Sequence, residues 1–201
     1  MKQISHLLSS LFSPLLVPTY GMAAASFLSI LAILPSRVLW TTIAITFFIT
    51  CILPAAGIFI LYKMGAVKDP GLNERKERLM PYILTAICYL GCAFFLYHAS
   101  APRWLSLFFV GGAASVVINV LVNFRWKISA HAAAMGGLVA LMLRLALSHQ
   151  AMYSLNVPIS TAILLAGMVM TARVYLGRHS LLQVLAGCAN GFLCVWLISG
   201  L

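Results

Sequence analysis

Of the chain's 201 residues, 63% are hydrophobic and only 8% charged, a proportion that no soluble globular domain of this size can hide. Thirteen Lys and Arg stand against three acids, Asp69, Glu74 and Glu77, for a net charge of +10. With so few carboxylates, all in one loop, the chain lacks the parts for a two-carboxylate glycosidase, a carboxylate-ligated metal centre or a proton relay of buried acids.

The first apolar stretch, residues 12–34, follows Lys2 and contains the small-residue cluster Ala23, Ala24 and Ala25, features that a secretory signal shares. It runs on unbroken to Leu34, longer than a cleavable signal needs, and is read as retained, with kinks at Pro14 and Pro18. Apolar stretches at 38–62, 79–98, 104–124, 131–147, 158–176 and 180–200 follow, each long enough to span a bilayer or nearly so. In hydrocarbon each must be helical, because only an internally bonded backbone leaves no polar group unsatisfied. The expected fold is an all-α polytopic membrane helix bundle with about six to seven transmembrane helices. Residues 1–201 are expected to form a single integral-membrane domain, whose one loop of any length runs from Lys63 to Met80.

Cys51, Cys88, Cys92, Cys188 and Cys194 fall inside these segments without CxxC spacing or histidine partners, and are read as packing residues. Glycines at 111, 112, 136, 137, 187 and 191 suit close helix packing. Trp104, Trp126 and Trp196 suit interfacial belts, and Arg144 is expected to snorkel to the interface. His6, His98 and His149 lie at segment ends or in loops and need no role.

Alternating helix directions place ten of the thirteen basic residues on the face that carries the amino terminus, with only Arg37, Arg103 and Arg144 near the other. The positive-inside rule makes that face cytoplasmic and by itself accounts for such an asymmetry. Three loops on this face nevertheless combine cations with histidines: Lys68 to Pro81, Arg125 to His131, and Arg173 to His179. An arginine ending an apolar run is costly unless something anionic or wet needs it. His131 and His179 sit at or just before the start of apolar helices, where free N–H groups favour a bound anion, whereas haem ligands belong inside the segments. For phosphoryl transfer, Arg173, Lys68, Lys127 and Arg75 or Arg78 could clamp the equatorial oxygens.

The same three loops resemble the motifs of the type 2 phosphatidic acid phosphatase family, the membrane branch of the superfamily that includes vanadium haloperoxidases. The third motif matches best, as Ala172, Arg173, five residues, His179 and then Val184 to Gly187. The second survives as Ile128, Ser129, Ala130 and His131. The first is ambiguous, since Lys68 and Arg75 keep the spacing but Lys76 replaces the proline, and Arg78 lies closer to Pro81. Departures are Ala172 for serine, Ile128 and Ala130 for proline and glycine, and Gln183 where the family has aspartate.

The resemblance spans a core of about residues 68–190 and implies a metal-independent lipid phosphate phosphatase, acting on a lipid or polyprenyl phosphate or pyrophosphate, without a cofactor. His179 would be the nucleophile, His131 the acid for the leaving group and Arg173 the catalytic clamp. Lys68, Arg75, Arg78, Lys127 and Ser129 would bind phosphate, with Gln183 behind His179. The expected partners are membrane lipids and the lipid-phosphate substrate, not nucleic acid, and the expected setting is a bacterial cytoplasmic (inner) membrane. The alternative is a catalytically weakened relative that binds or moves anionic lipids, for which Gln183 is the main support. A general transporter would show paired inverted halves, and no such symmetry is visible.

Overall fold

The computed structural model describes residues 2–69, 74–148 and 150–200, the Lys76 side chain excepted; His149, to which the sequence assigns no role, lies outside them. The described chain is all-α, with six helices long and apolar enough to cross a membrane. These are Ser36–Lys63, Leu79–His98, Arg103–Asn123, Ala130–Leu147, Asn156–Tyr175 and Leu181–Ile198.

The seventh expected span, residues 12–34, is corrected. Its residues do not form one helix: α1 (Lys2–Leu11) ends before Pro14, α2 (Val17–Leu28) restarts with Pro18 in its first turn, and a short 3-10 turn, Ile30–Ile33, follows. Two prolines four apart remove two backbone donors and crowd the preceding turns, so they break the helix here instead of kinking it. Helix α1 turns its serines inward, with Ser5 and Ser9 buried and Ile4, Leu7 and Leu11 exposed on the outer face. That polarity suits a helix with lipid outside and a polar neighbour inside.

The first long span joins α3 (Ser36–Phe47) to α4 (Leu53–Lys63) through a π turn at Phe48–Ile52. Pro54 sits just beyond that turn, where one extra residue in the ladder absorbs its missing N–H and ring clash. Helices α5 (Leu79–His98) and α6 (Arg103–Asn123) form an antiparallel hairpin. The rest of the bundle is α7 (Ala130–Leu147), α8 (Asn156–Tyr175) and α9 (Leu181–Ile198).

Because α8 returns the chain, α7 and α9 run parallel and start at the same end of the bundle. They pack more closely than side chains would allow. A Cβ on Gly191 would strike the Ala133 carbonyl, one on Gly136 the Cys188 carbonyl, and one on Gly187 would lie 2.5 Å from the Ser129 carbonyl. At the far end, Arg144 reaches the last turn of α9: its Nε and Nη2 donate to the Trp196 carbonyl at 2.9 and 2.6 Å, and its guanidinium stacks 4.2 Å over the Trp196 ring. The last carbonyls of α9 lack helical partners, and this cation supplies one.

Gly191→Ala is therefore expected to destabilise the bundle by about 2 kcal/mol, because the clash is with backbone that cannot rotate away. Gly91→Ala and Gly167→Ala, where nothing lies within 4 Å of an added Cβ, should be neutral or slightly stabilising. Thermal unfolding of the three variants in one detergent checks the contrast.

Candidate active site

His179 is placed by the turn between α8 and α9. The Arg178 N–H donates to the Arg173 carbonyl at 3.1 Å and the Gly177 N–H to the Val174 carbonyl at 2.9 Å, the paired bonds of a Schellman ending. Gly177 takes φ +66°, the left-handed conformation this ending requires. The reversal brings His179 back towards Arg173. Ser180 then starts α9 with a capping box, its hydroxyl accepting from the Gln183 N–H while Gln183 Oε1 accepts from the Ser180 N–H.

The capping box also sets the histidine tautomer. Since Gln183 Oε1 accepts from a backbone N–H, the amide oxygen is the atom that faces His179 Nδ1, 3.2 Å away. An oxygen there can only accept, so Nδ1 carries the hydrogen and Nε2 keeps its lone pair. His131 is fixed in the complementary sense. Its Nε2 lies 3.1 Å from the Ser9 carbonyl at the end of α1, so Nε2 carries the hydrogen and Nδ1 is left for other partners. A last-turn carbonyl of α1, which has no helical donor of its own, is satisfied by this contact. Ser129, wholly buried, caps α7 by accepting from the Ala132 N–H, and its own N–H donates to the Gln183 carbonyl, which ties the second loop to the third.

A cavity of about 270 Å³ lies between these elements. Arg78, His131, Arg173, His179 and Tyr82 line its polar end, and Val17, Phe108 and Val195 reach its apolar interior. Arg78 is 5% exposed; it donates to the Ile128 carbonyl at 3.2 Å and also hydrogen-bonds the Tyr82 hydroxyl. Arg173 Nε is buried with no hydrogen-bond partner. None of the lining side chains is a carboxylate. Burial, then the positive fields of Arg78, Arg173 and Lys127, push the His179 imidazole down to about 3, against a weaker upward pull from Gln183. Burial, Arg78, Arg173 and Arg178 likewise lower Lys127 below the usual lysine range. The arrangement is two arginines beside two neutral histidines, with an orphaned guanidinium N–H: a site built for an anion.

The structure thus brings together Arg78, His131, Arg173 and His179, with Gln183 bonded to His179 and Lys127 close enough to lower its basicity. It does not bring the remaining expected residues to the cavity wall. Lys68 is exposed, and its backbone N–H donates to Glu77 Oε2 at 3.1 Å. Arg75 lines a different cavity, with Leu79, Val120 and Asn123. Ser129 is occupied as a helix cap. Between the two arginines left open for the first loop, Arg78 is the one at the cavity. Sequence reasoning missed Tyr82, although its place one turn beyond Arg78 could have revealed it. It also missed the Ser9 carbonyl, a backbone atom with no signature in residue type. Among the described residues no cluster of three or more His, Cys, Asp or Glu could hold a metal ion.

No curated protein and no solved structure gives a significant match to the chain. The family model for the PAP2 superfamily matches residues 123–201, the part that contains His131, Arg173 and His179. Its phosphatase-type chemistry agrees with an anion site of cations and histidines, and in this carboxy-terminal part the chain is similar to the PAP2 superfamily.

Proposed function

We propose that the protein is a membrane-embedded phosphatase that hydrolyses a lipid or polyprenyl phosphate or pyrophosphate through a phosphohistidine, in a bacterial cytoplasmic membrane. The observation that carries this reading is the convergence of His179, with a free Nε2 lone pair, on the buried and unpartnered Nε of Arg173. Arg173 and Arg78 neutralise the equatorial oxygens, arginine offering the fork that fits a phosphate. His179 Nε2 attacks phosphorus and the bond to the ester oxygen breaks, while His131, neutral at rest with Nδ1 free, takes the proton of a monoanionic phosphate on Nδ1 and passes it to that oxygen. Water then cleaves the phosphorus–nitrogen bond, releasing inorganic phosphate and returning His179 to its resting state. Gln183 holds the tautomer throughout, as an aspartate would, but without its charge. A substrate that sits in the membrane suits a cavity running from a charged end into an apolar interior.

His179→Ala should abolish phosphate release from lipid phosphates by purified protein in detergent, roughly 10³-fold or more, and His131→Ala should lower it about 10²-fold or more. Gln183→Asp should retain or raise turnover. Orthovanadate should inhibit and EDTA should not. Turnover that survives His179→Ala removes the nucleophile assignment, and activity lost to EDTA and restored by magnesium removes the mechanism. Lipid phosphate bound without hydrolysis by any variant or wild type leaves the non-catalytic binding protein.

The depressed basicity of His179 gives a second test. A ring lowered to about 3 stays neutral, hence nucleophilic, as the pH falls through the ordinary histidine value of about 6.5. Over that window the unfolded chain binds a proton that the folded chain does not, so this group's contribution to stability falls with falling pH. Nitrogen NMR of the labelled imidazole should show His179 neutral down to about pH 4, and Arg78→Gln should move its midpoint upward. A wild-type midpoint near the ordinary value means that the cations do not surround the ring.

A further inference from the structure

A second polar cluster lines the same cavity below the arginines, between α6 and α9. Asn190 Nδ2 donates to the Ser115 carbonyl at 3.0 Å, to Ser115 Oγ at 3.1 Å and to Asn119 Oδ1 at 3.1 Å. Because the Ser115 carbonyl can only accept, the Asn190 amide has one orientation, and the atom it meets on Asn119 must be the oxygen. The Asn119 NH2 is thereby turned to the other side. Asn119 is 2% exposed, it lines the cavity, and among the described residues its NH2 has no hydrogen-bond partner. An amide donor left unmade inside an apolar bundle is expensive, so the position asks for an acceptor from whatever fills the cavity.

Its depth identifies that acceptor. Asn123, at the end of α6, donates to the Arg75 carbonyl at the loop, and Asn119 lies about 6 Å deeper, four residues of helical rise. The Arg78 guanidinium, with His179, holds the loop end of the cavity, and Tyr82 is one turn further in. Asn119 therefore stands one helical turn inside the loop end, on the wall of the cavity that holds Arg78, Arg173 and His179 and that also takes in the apolar Val17, Phe108 and Val195.

We propose that Asn119 is a specificity-determining donor that binds an oxygen of the segment joining phosphate to hydrocarbon. An ester carbonyl, ether or hydroxyl supplies that oxygen, so the site prefers glycerol-linked lipid phosphates to alkyl or polyprenyl phosphates, whose hydrocarbon begins at the phosphate ester. The inference rests on the phosphatase reading and adds to it the part of the substrate that is recognised. Buried polar groups discriminate strongly against a substrate lacking their partner, whereas an apolar wall does not.

The test compares kcat/KM for dioleoyl phosphatidate with that for oleyl phosphate and farnesyl phosphate, at matched surface fraction in one detergent. Wild-type protein should favour phosphatidate by about tenfold, the worth of one good hydrogen bond. Asn119→Leu should bring the ratio near one, through loss of kcat/KM on phosphatidate. The wild-type ratio needs no variant, and Asn119→Ala serves if the leucine protein does not fold. Equal wild-type rates, or a ratio unchanged in the variants, overturn the assignment and leave the donor to water. Hydrolysis of none of the three overturns the phosphatase reading itself, an outcome distinct from hydrolysis without preference.

Discussion

Two arginines and two histidines share one low-dielectric cavity with no carboxylate in its lining, and this like-charge crowding governs the rest of the structure. At an effective dielectric near 20, two unit charges about 4 Å apart repel by about 4 kcal/mol, against about 1 kcal/mol in bulk water. The histidines answer by staying neutral. The arginines cannot lose their charge, so they must be held, Arg78 by the Ile128 carbonyl and Tyr82, Arg173 by its place in the last turn of α8. A dianion entering such a cavity relieves repulsion that the fold has already absorbed. Binding and transition-state stabilisation then need little rearrangement, which is the meaning of electrostatic preorganisation.

Holding those charges requires stiff neighbours, and the parallel α7 and α9 provide them. Their glycines let backbone meet backbone, so neither helix can slide without collision. Since both start at the same end, their first turns carry His131 and His179 to one place, each helix directing its positive dipole end towards the site. The Ser129 N–H bond to the Gln183 carbonyl and the Schellman ending of α8 then fix the two loops against one another. Helix α1 packs along α8 and also offers the Ser9 carbonyl, which makes the most amino-terminal segment part of the orientation of His131.

Six of the seven apolar stretches were legible in the sequence because length and hydropathy decide a membrane span almost alone. The stretch at 12–34 was misread for the complementary reason: hydropathy says that a segment avoids water, whereas Pro14 and Pro18 decide whether it can be one helix. Within the cavity, His131, Arg173 and His179 were singled out because each sits at the end of an apolar segment on one basic face and because their spacing resembles known motifs. The choice between Arg75 and Arg78 was not. They are three residues apart, and which one turns to the cavity depends on a 3-10 turn at Lys76–Arg78 and on the Ile128 carbonyl, a partner fifty residues away. Lys68 and Ser129 had suitable chemistry, but Ser129 is engaged by a helix N-terminus and Lys68 stays outside. Asn119 gave no signal, because an asparagine inside an apolar run reads equally well as packing glue until its unused donor is seen.

Gln183 shows how one substitution can be absorbed by a site whose other terms compensate. An aspartate behind a histidine orients the ring and stabilises the positive charge it acquires when it becomes a phosphohistidine. Glutamine, anchored by the Ser180 N–H, performs the first task through its Oε1 and leaves the second undone. In this cavity the missing charge acts in two directions. Without a carboxylate the positive field keeps His179 neutral and its Nε2 lone pair free, which favours attack; the same field opposes the cationic ring of the intermediate, which disfavours its accumulation. In the proposed mechanism a phosphoryl group held by Arg78 and Arg173 brings its own negative charge and offsets that field at the moment the ring needs it. Neutral glutamine is therefore compatible with nucleophilic catalysis where the arginines hold the phosphate tightly, and the function of His179 becomes coupled to Arg78 and Arg173 more closely than a carboxylate partner would make it.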